Sequence, residues 1–153
     1  MSIKETIEQD FVKAMKEKNT LKVSTLRMVK AAIKNSEIDK IGKLDDAEVV
    51  KLLDNLVKKR QESILLFREG EREDLATKEE NEIKIIESYL PKAISNEDIL
   101  SIADKIITEI QAEGPKDFGK VMKAIMEALK TERVDGKLVS SLVKEKLERL
   151  QQQ

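Results

Sequence analysis

With 153 residues, no cysteine and no histidine, the chain has the length for one domain or two small ones, and it offers neither a disulfide nor the usual ligands of a structural zinc site. Hydrophobic residues make up 40% and aromatics 3%, so any core is aliphatic, and charged residues at 39% give every helix a wet face. A net charge of −1 excludes a generally basic RNA-coating protein but permits a local contact: Lys13 to Lys34 holds seven bases and one acid, Glu69 to Glu87 eight acids and three bases, and Gly114 to Gln153 nine bases and six acids.

Ile3, Ile7, Phe11 and Ala14 or Met15 recur at helical spacing and predict a first helix from near Ser2 to about Lys18–Asn19. Thr20 is the expected cap of a second helix reaching about Asp39. Its apolar residues, Leu21, Val23, Leu26, Met28, Val29, Ala32 and Ile33, cover most of its circumference, which places it between neighbours, and Gly42 closes it. Asp45 and Asp46 open a third, in which Val49, Leu52, Leu53, Leu56, Val57, Ile64 and Phe67 keep the step for about six turns. Arg60 falls on that apolar stripe and needs an internal acid, Glu82 or Asp74. Gly70 stops the helix. After the loop Glu71 to Asp74, where Arg72 and Asp74 read as a fixing pair, a fourth helix runs to Tyr89 with Leu75, Ile83, Ile86 and Leu90 inward.

Pro91 marks the expected boundary, giving an N-terminal domain over 1–92 and a C-terminal one over 93–153. Ser95 with Asp98 reads as the N-cap of a fifth helix carrying Ile99, Ile102, Ala103, Ile106 and Ile110 and ended by Gly114–Pro115. Asp117 is the expected cap of a sixth, whose inward face is Phe118, Val121, Met122, Ile125 and Leu129. Gly119 sits in its first turn, where glycine costs roughly 1 kcal/mol relative to alanine and so points to a close approach to the backbone. Beyond Lys130 lies a short polar connection, Thr131 to Gly136, containing an Asp135–Gly136 turn. Leu138, Val139, Leu142, Val143, Leu147 and Leu150 then resume the helical period, and Gln151 to Gln153 read as a frayed end. The fold expected is all-α, four helices followed by a smaller three-helix domain ending in a helical hairpin.

The residue types of most catalytic sites are missing. Ser140, Ser141 and Lys144 read as a solvated helix face, and Gly119–Lys120 lacks the preceding glycine and following hydroxyl of a phosphate-binding loop. The paired acids Asp45–Asp46, Glu73–Asp74 and Glu79–Glu80 lie near helix starts, where the helix dipole favours them. No catalytic residue, cofactor or metal is therefore expected. The positive candidates are electrostatic: Gly119, Lys120, Lys123, Lys130, Arg133, Gly136 and Lys137 as contacts to RNA phosphates, with Lys13, Lys16, Arg27, Lys30 and Lys34 as a second basic patch. The opposing account makes Gly119 a close helix-packing point and the lysines ordinary solvated charges.

The run Asp117-x-Gly119-Lys120-Val121-Met122, Ile125-Met126 and Asp135-Gly136-x-Leu138-Val139 resembles the GatB/YqeY family. So do the upstream stretches Leu26-Arg27-Met28-Val29-Lys30, Lys59-Arg60-x-Glu62-Ser63, Arg72-x-Asp74-Leu75 and Tyr89-Leu90-Pro91. In the hairpin the chain departs from the family's usual residues at Glu127, Thr131, Val134 and Ser140. The resemblance implies an all-helical fold. It also implies a non-catalytic tRNA-binding or amidotransferase-related accessory module, because the same domain forms the C-terminal tail of one component of the glutamine-dependent aspartyl/glutamyl-tRNA amidotransferase. The partners implied are tRNA and an amidotransferase or other protein complex. A helical protein-interaction scaffold is one alternative, and a carbon-nitrogen ligase with glutamine as amido donor is another. With no apolar stretch of signal-peptide or membrane length, a cytoplasmic location without membrane contact is expected.

Overall fold

Five of the seven helices in the computed structural model, which describes residues 1–130 and 132–152, begin at a side chain that accepts one of their free amides. In α1 (Ile3–Lys16) Ser2 accepts from Glu5 N while Glu5 accepts in return from Ser2 N, and Asp45 and Glu48 repeat this at α3 (Asp46–Glu69). Asn19 caps α2 (Thr20–Lys40) through Lys22 N, so the cap lies one residue before the expected Thr20. Ser95 caps α5 (Asn96–Ile110) through Asp98 N, and Asp135 caps α7 (Gly136–Gln151) through Lys137 N. Each such cap contributes about 1 kcal/mol. α4 (Glu73–Glu87) and α6 (Phe118–Ala128) have no side-chain cap.

Helix ends depart from the sequence reading. α2 closes on Ile41 in the left-handed region at φ 57°, with the amide of Gly42 bonding back to Glu37 O, and α5 closes on Gln111 at φ 60°, ahead of Gly114–Pro115. A closing turn needs a left-handed residue at that position, whichever residue stands there. Among the described residues no glycine has a positive φ, and Asp135–Gly136 starts α7 instead of forming a separate turn. α4 ends at Glu87, short of Tyr89.

The chain divides into two compact units, Met1–Leu90 and Pro91–Gln153. In the first, α2 packs on α1, α3 and α4, as its broad apolar surface requires, around Ile7, Leu26, Val29, Val49, Leu53 and Ile86. Arg60 on α3 pairs with Glu82 at 3.0 Å and Glu79 at 3.6 Å, so the stripe's lone cation has the expected acid and a second one. Arg72 pairs with Asp74 at 3.2 Å in the link, and the Tyr89 hydroxyl donates to Asp10 at 2.6 Å. Burial, then that bond, holds the phenol above its ordinary pKa.

In the second unit α5, α6, α7 and a 3-10 turn at Pro115–Asp117 surround Ile99, Ala103, Val121, Ile125, Val143 and Leu147. Fully burying one such branched aliphatic stabilises by roughly 1.5–3 kcal/mol. The protein is all-α, with no strand among the described residues.

Candidate functional site

α6 is amphipathic at single-residue resolution. Val121, Ile125 and Leu129, which follows the helix, are buried, Phe118 and Met122 are half-buried, and the same helical step turns Gly119, Lys120, Lys123, Glu127 and Lys130 outward into solvent. A Cβ placed on Gly119 would meet no atom within 4 Å. Close helix packing is therefore not what the glycine serves, which removes half of the opposing account. Lys120 and Lys123 form no ion pair among the described residues. Lys130 bonds Glu127 at 2.8 Å, both side chains well exposed, a pairing worth little in water.

Asp117 does not cap α6. The 3-10 turn ahead of the helix swings its carboxylate backward, where Oδ2 accepts from Glu113 N at 2.8 Å. The amide end of α6 consequently has no side-chain cap, and it lies beside Gly119 and Lys120. A helix start attracts anions through its dipole, while the 3-10 turn already bonds the amides of Asp117 and Phe118 to Gly114 O and Pro115 O.

At the hairpin tip, Arg133 is half-buried. Its carbonyl accepts from Ile94 N at 3.1 Å, and a parallel bridge joins it to Ala93, so the chain just before α5 lies along the connection. Gly136 is half-buried as the first residue of α7, and Lys137 is exposed with no ion pair among the described residues. Thr131, one of the hairpin departures and the start of the expected connection, lies outside the described residues, as does Gln153 of the expected frayed end. The structure thus gathers Gly119, Lys120 and Lys123 at one end of a stripe. Lys130 lies at the other end, about 15 Å away at 1.5 Å per residue.

The second basic patch is largely engaged within its own unit. Lys30 pairs with Glu8 at 2.6 Å and stands 4.2 Å over the Phe11 ring, Arg27 is 5.8 Å from that ring, and Lys13 is 4.0 Å from Glu17. Lys16 and Lys34 keep no acid partner among the described residues. Ser140 and Lys144 share a shallow cleft of about 420 Å³ with Pro115, Phe118 and Leu147, and no hydrogen bond joins the two. Among the described residues no group of three or more acids, histidines or cysteines could hold a metal ion, and no helix is long and apolar enough to cross a membrane.

The family described as Yqey-like protein matches residues 4–147. Similar curated proteins are named altered inheritance of mitochondria protein 41, mitochondrial. The one from Kluyveromyces lactis is 39% identical over 124 residues, covering 75% of this chain and 66% of that protein. The one from Lachancea thermotolerans is 36% identical over 112 residues, covering 71% and 60%, and the one from Clavispora lusitaniae is 35% identical over 128 residues, covering 81% and 74%. The chain spans less than two thirds of the length of the first two. All three are mitochondrial by name, which overturns the cytoplasmic expectation. That expectation rested on the lack of cysteine and of apolar runs of signal-peptide or membrane length, none of which distinguishes the cytoplasm from the interior of an organelle. Because the match runs from Lys4 to Leu147 and so through both units, this chain belongs to the YqeY-like family.

Proposed function

We propose that the exposed face at the start of α6 holds the phosphate backbone of an RNA, with tRNA as the expected species, and that the chain serves as a non-catalytic accessory module of tRNA-linked amidation. The observation that carries this reading is the open backbone of Gly119 beside Lys120 and Lys123, two exposed ammonium groups that make no ion pair among the described residues, at a helix start without a side-chain cap. A phosphate can approach the backbone where no Cβ intervenes, and each lysine then displaces a condensed counterion. Recognition is by position. Phe118, the one aromatic of this unit, is half-buried against the core, which leaves no ring for a base to stack on.

Titration of the protein with tRNA at several salt concentrations tests it. Each neutralised phosphate should contribute about 0.7–0.9 to the slope of log affinity against log salt. Lys120→Glu with Lys123→Glu should abolish roughly one unit of slope per lysine. Absence of binding at low salt, or a slope indifferent to the double variant, would sink the proposal.

A further inference from the structure

We propose that the corner between α2 and α3 docks an acidic segment of a partner protein, one that carries apolar side chains between its carboxylates. Ile41 stands at φ 57° and ψ 51° and is 93% exposed, with Ile38, one turn earlier, 63% exposed. A β-branched side chain is crowded by its own backbone in the left-handed region, where glycine or asparagine ordinarily stands. The closing bond from Gly42 N to Glu37 O holds Ile41 in that conformation, while its side chain, almost wholly in solvent, gains almost no burial there. The turn accounts for the conformation, and what a partner's contact would account for is the exposure of two isoleucines side by side at this corner.

Charge and shape at the corner say what that partner is. A cleft of about 290 Å³ is lined by Lys34, Glu37, Ile38, Gly42 and Lys43. Glu37 is already engaged, accepting from Lys4 Nζ at 2.8 Å and Leu44 N at 2.9 Å, and these bonds, that of Lys4 first, keep its carboxyl below the usual range. Lys43 acts on Glu37 only at longer range, and neither Lys34 nor Lys43 pairs with an acid among the described residues. Lys40 is closed off by Glu48. Two available ammonium groups thus border a cleft beside two exposed isoleucines, an apolar centre with a cationic rim. An anionic bilayer fits less well. A flat surface cannot fill a cleft, whereas a short segment can lie in it between Lys34 and Lys43.

The test uses the full chain and a fluorescein-labelled helical peptide with leucines at three- and four-residue steps and glutamates between them, read by anisotropy. Saturable, salt-weakened binding is expected. Lys34→Glu with Lys43→Glu should weaken it by about tenfold or more, and the same variant should gain affinity for the peptide bearing lysine in place of glutamate. Ile41→Gly should raise the melting temperature by roughly 2–4 °C by relieving the left-handed strain, while weakening peptide binding several-fold. Lys120→Glu with Lys123→Glu should leave peptide binding unchanged. Peptide affinity indifferent to both corner variants overturns the proposal. So does a lower melting temperature for Ile41→Gly, or binding of phosphatidylserine vesicles through Lys34 and Lys43 in place of the peptide.

Discussion

In Met1–Leu90 several charged side chains are bonded across to a neighbouring helix. Arg60 of α3 holds Glu82 and Glu79 of α4, Lys4 of α1 holds Glu37 of α2, and Lys30 of α2 holds Glu8 of α1. Arg68 of α3 gathers Glu73 and Glu80 of α4 in the same way. In Pro91–Gln153 the pairs run mostly along one stretch of chain, Lys116 to Glu113, Lys130 to Glu127 and Arg149 to Glu145, with Lys146 of α7 reaching Asp104 of α5. The contrast separates two uses of charge. The first unit employs it to fix helices against one another. In the second an aliphatic core does that, and Lys120 and Lys123 hold no acid among the described residues.

The largest effect should come from the core that carries the second unit. Ile125 is fully buried, and Ile125→Ala should destabilise by about 3–4 kcal/mol through lost transfer energy and a residual cavity, read by urea unfolding. A cost under about 1 kcal/mol would mean that the three helices do not depend on this core. Arg60→Ala comes next, at about 2 kcal/mol, because it leaves Glu79 and Glu82, both mostly shielded, facing each other without a cation. Lys120→Ala, by contrast, should stay within about 0.5 kcal/mol. If Arg60→Ala proved as silent as Lys120→Ala, the distinction between structural and available charge would fail.

Thr25 sharpens the comparison from the opposite side. It is buried in α2, and its hydroxyl has no hydrogen-bond partner among the described residues, an exception in a unit that otherwise satisfies its inward polar groups. Thr25→Val should therefore stabilise by about 1 kcal/mol, measured as a higher urea midpoint with unchanged slope. A loss of stability would show that the hydroxyl has a partner, such as an ordered water.

Much of this arrangement could be read in the sequence, for identifiable reasons. Residues at three- and four-step spacing placed the helices, and Ser2, Asp45 and Ser95 announced three of the starts, because both signals are local. The acid for Arg60 was legible because a cation on an apolar stripe demands one. The closing turns were not. Ile41 and Gln111 take left-handed positions that residue preference assigns to glycine, since preference is a modest bias that the bonds from Gly42 N to Glu37 O and Ala112 N to Ile107 O can override. The cap at Asp117 was misread because a 3-10 turn leaves no periodic trace. The same holds for the bridge from Arg133 to Ala93, which joins residues distant in sequence and draws a proposed contact into the unit. The outward stripe of Gly119, Lys120 and Lys123 was visible as the complement of the buried face, although whether a neighbour covered the glycine was not.

Gly119 gives the smallest change in stability and the sharpest separation of the two uses. It lies in the first turn of α6, its φ is not positive, and no atom stands within 4 Å of the position a Cβ would take. Gly119→Ala should therefore stabilise by about 0.5–1 kcal/mol, through lower freedom of the unfolded chain and better helix propensity. If the α6 start holds phosphate, the added methyl stands where an oxygen approaches the backbone, and tRNA affinity should fall several-fold while the melting temperature rises. A gain in stability with unchanged affinity would assign binding to the lysines alone and leave the glycine without a part in it. Loss of affinity in the more stable variant would identify Gly119 as a residue whose absent side chain serves binding at the expense of the fold.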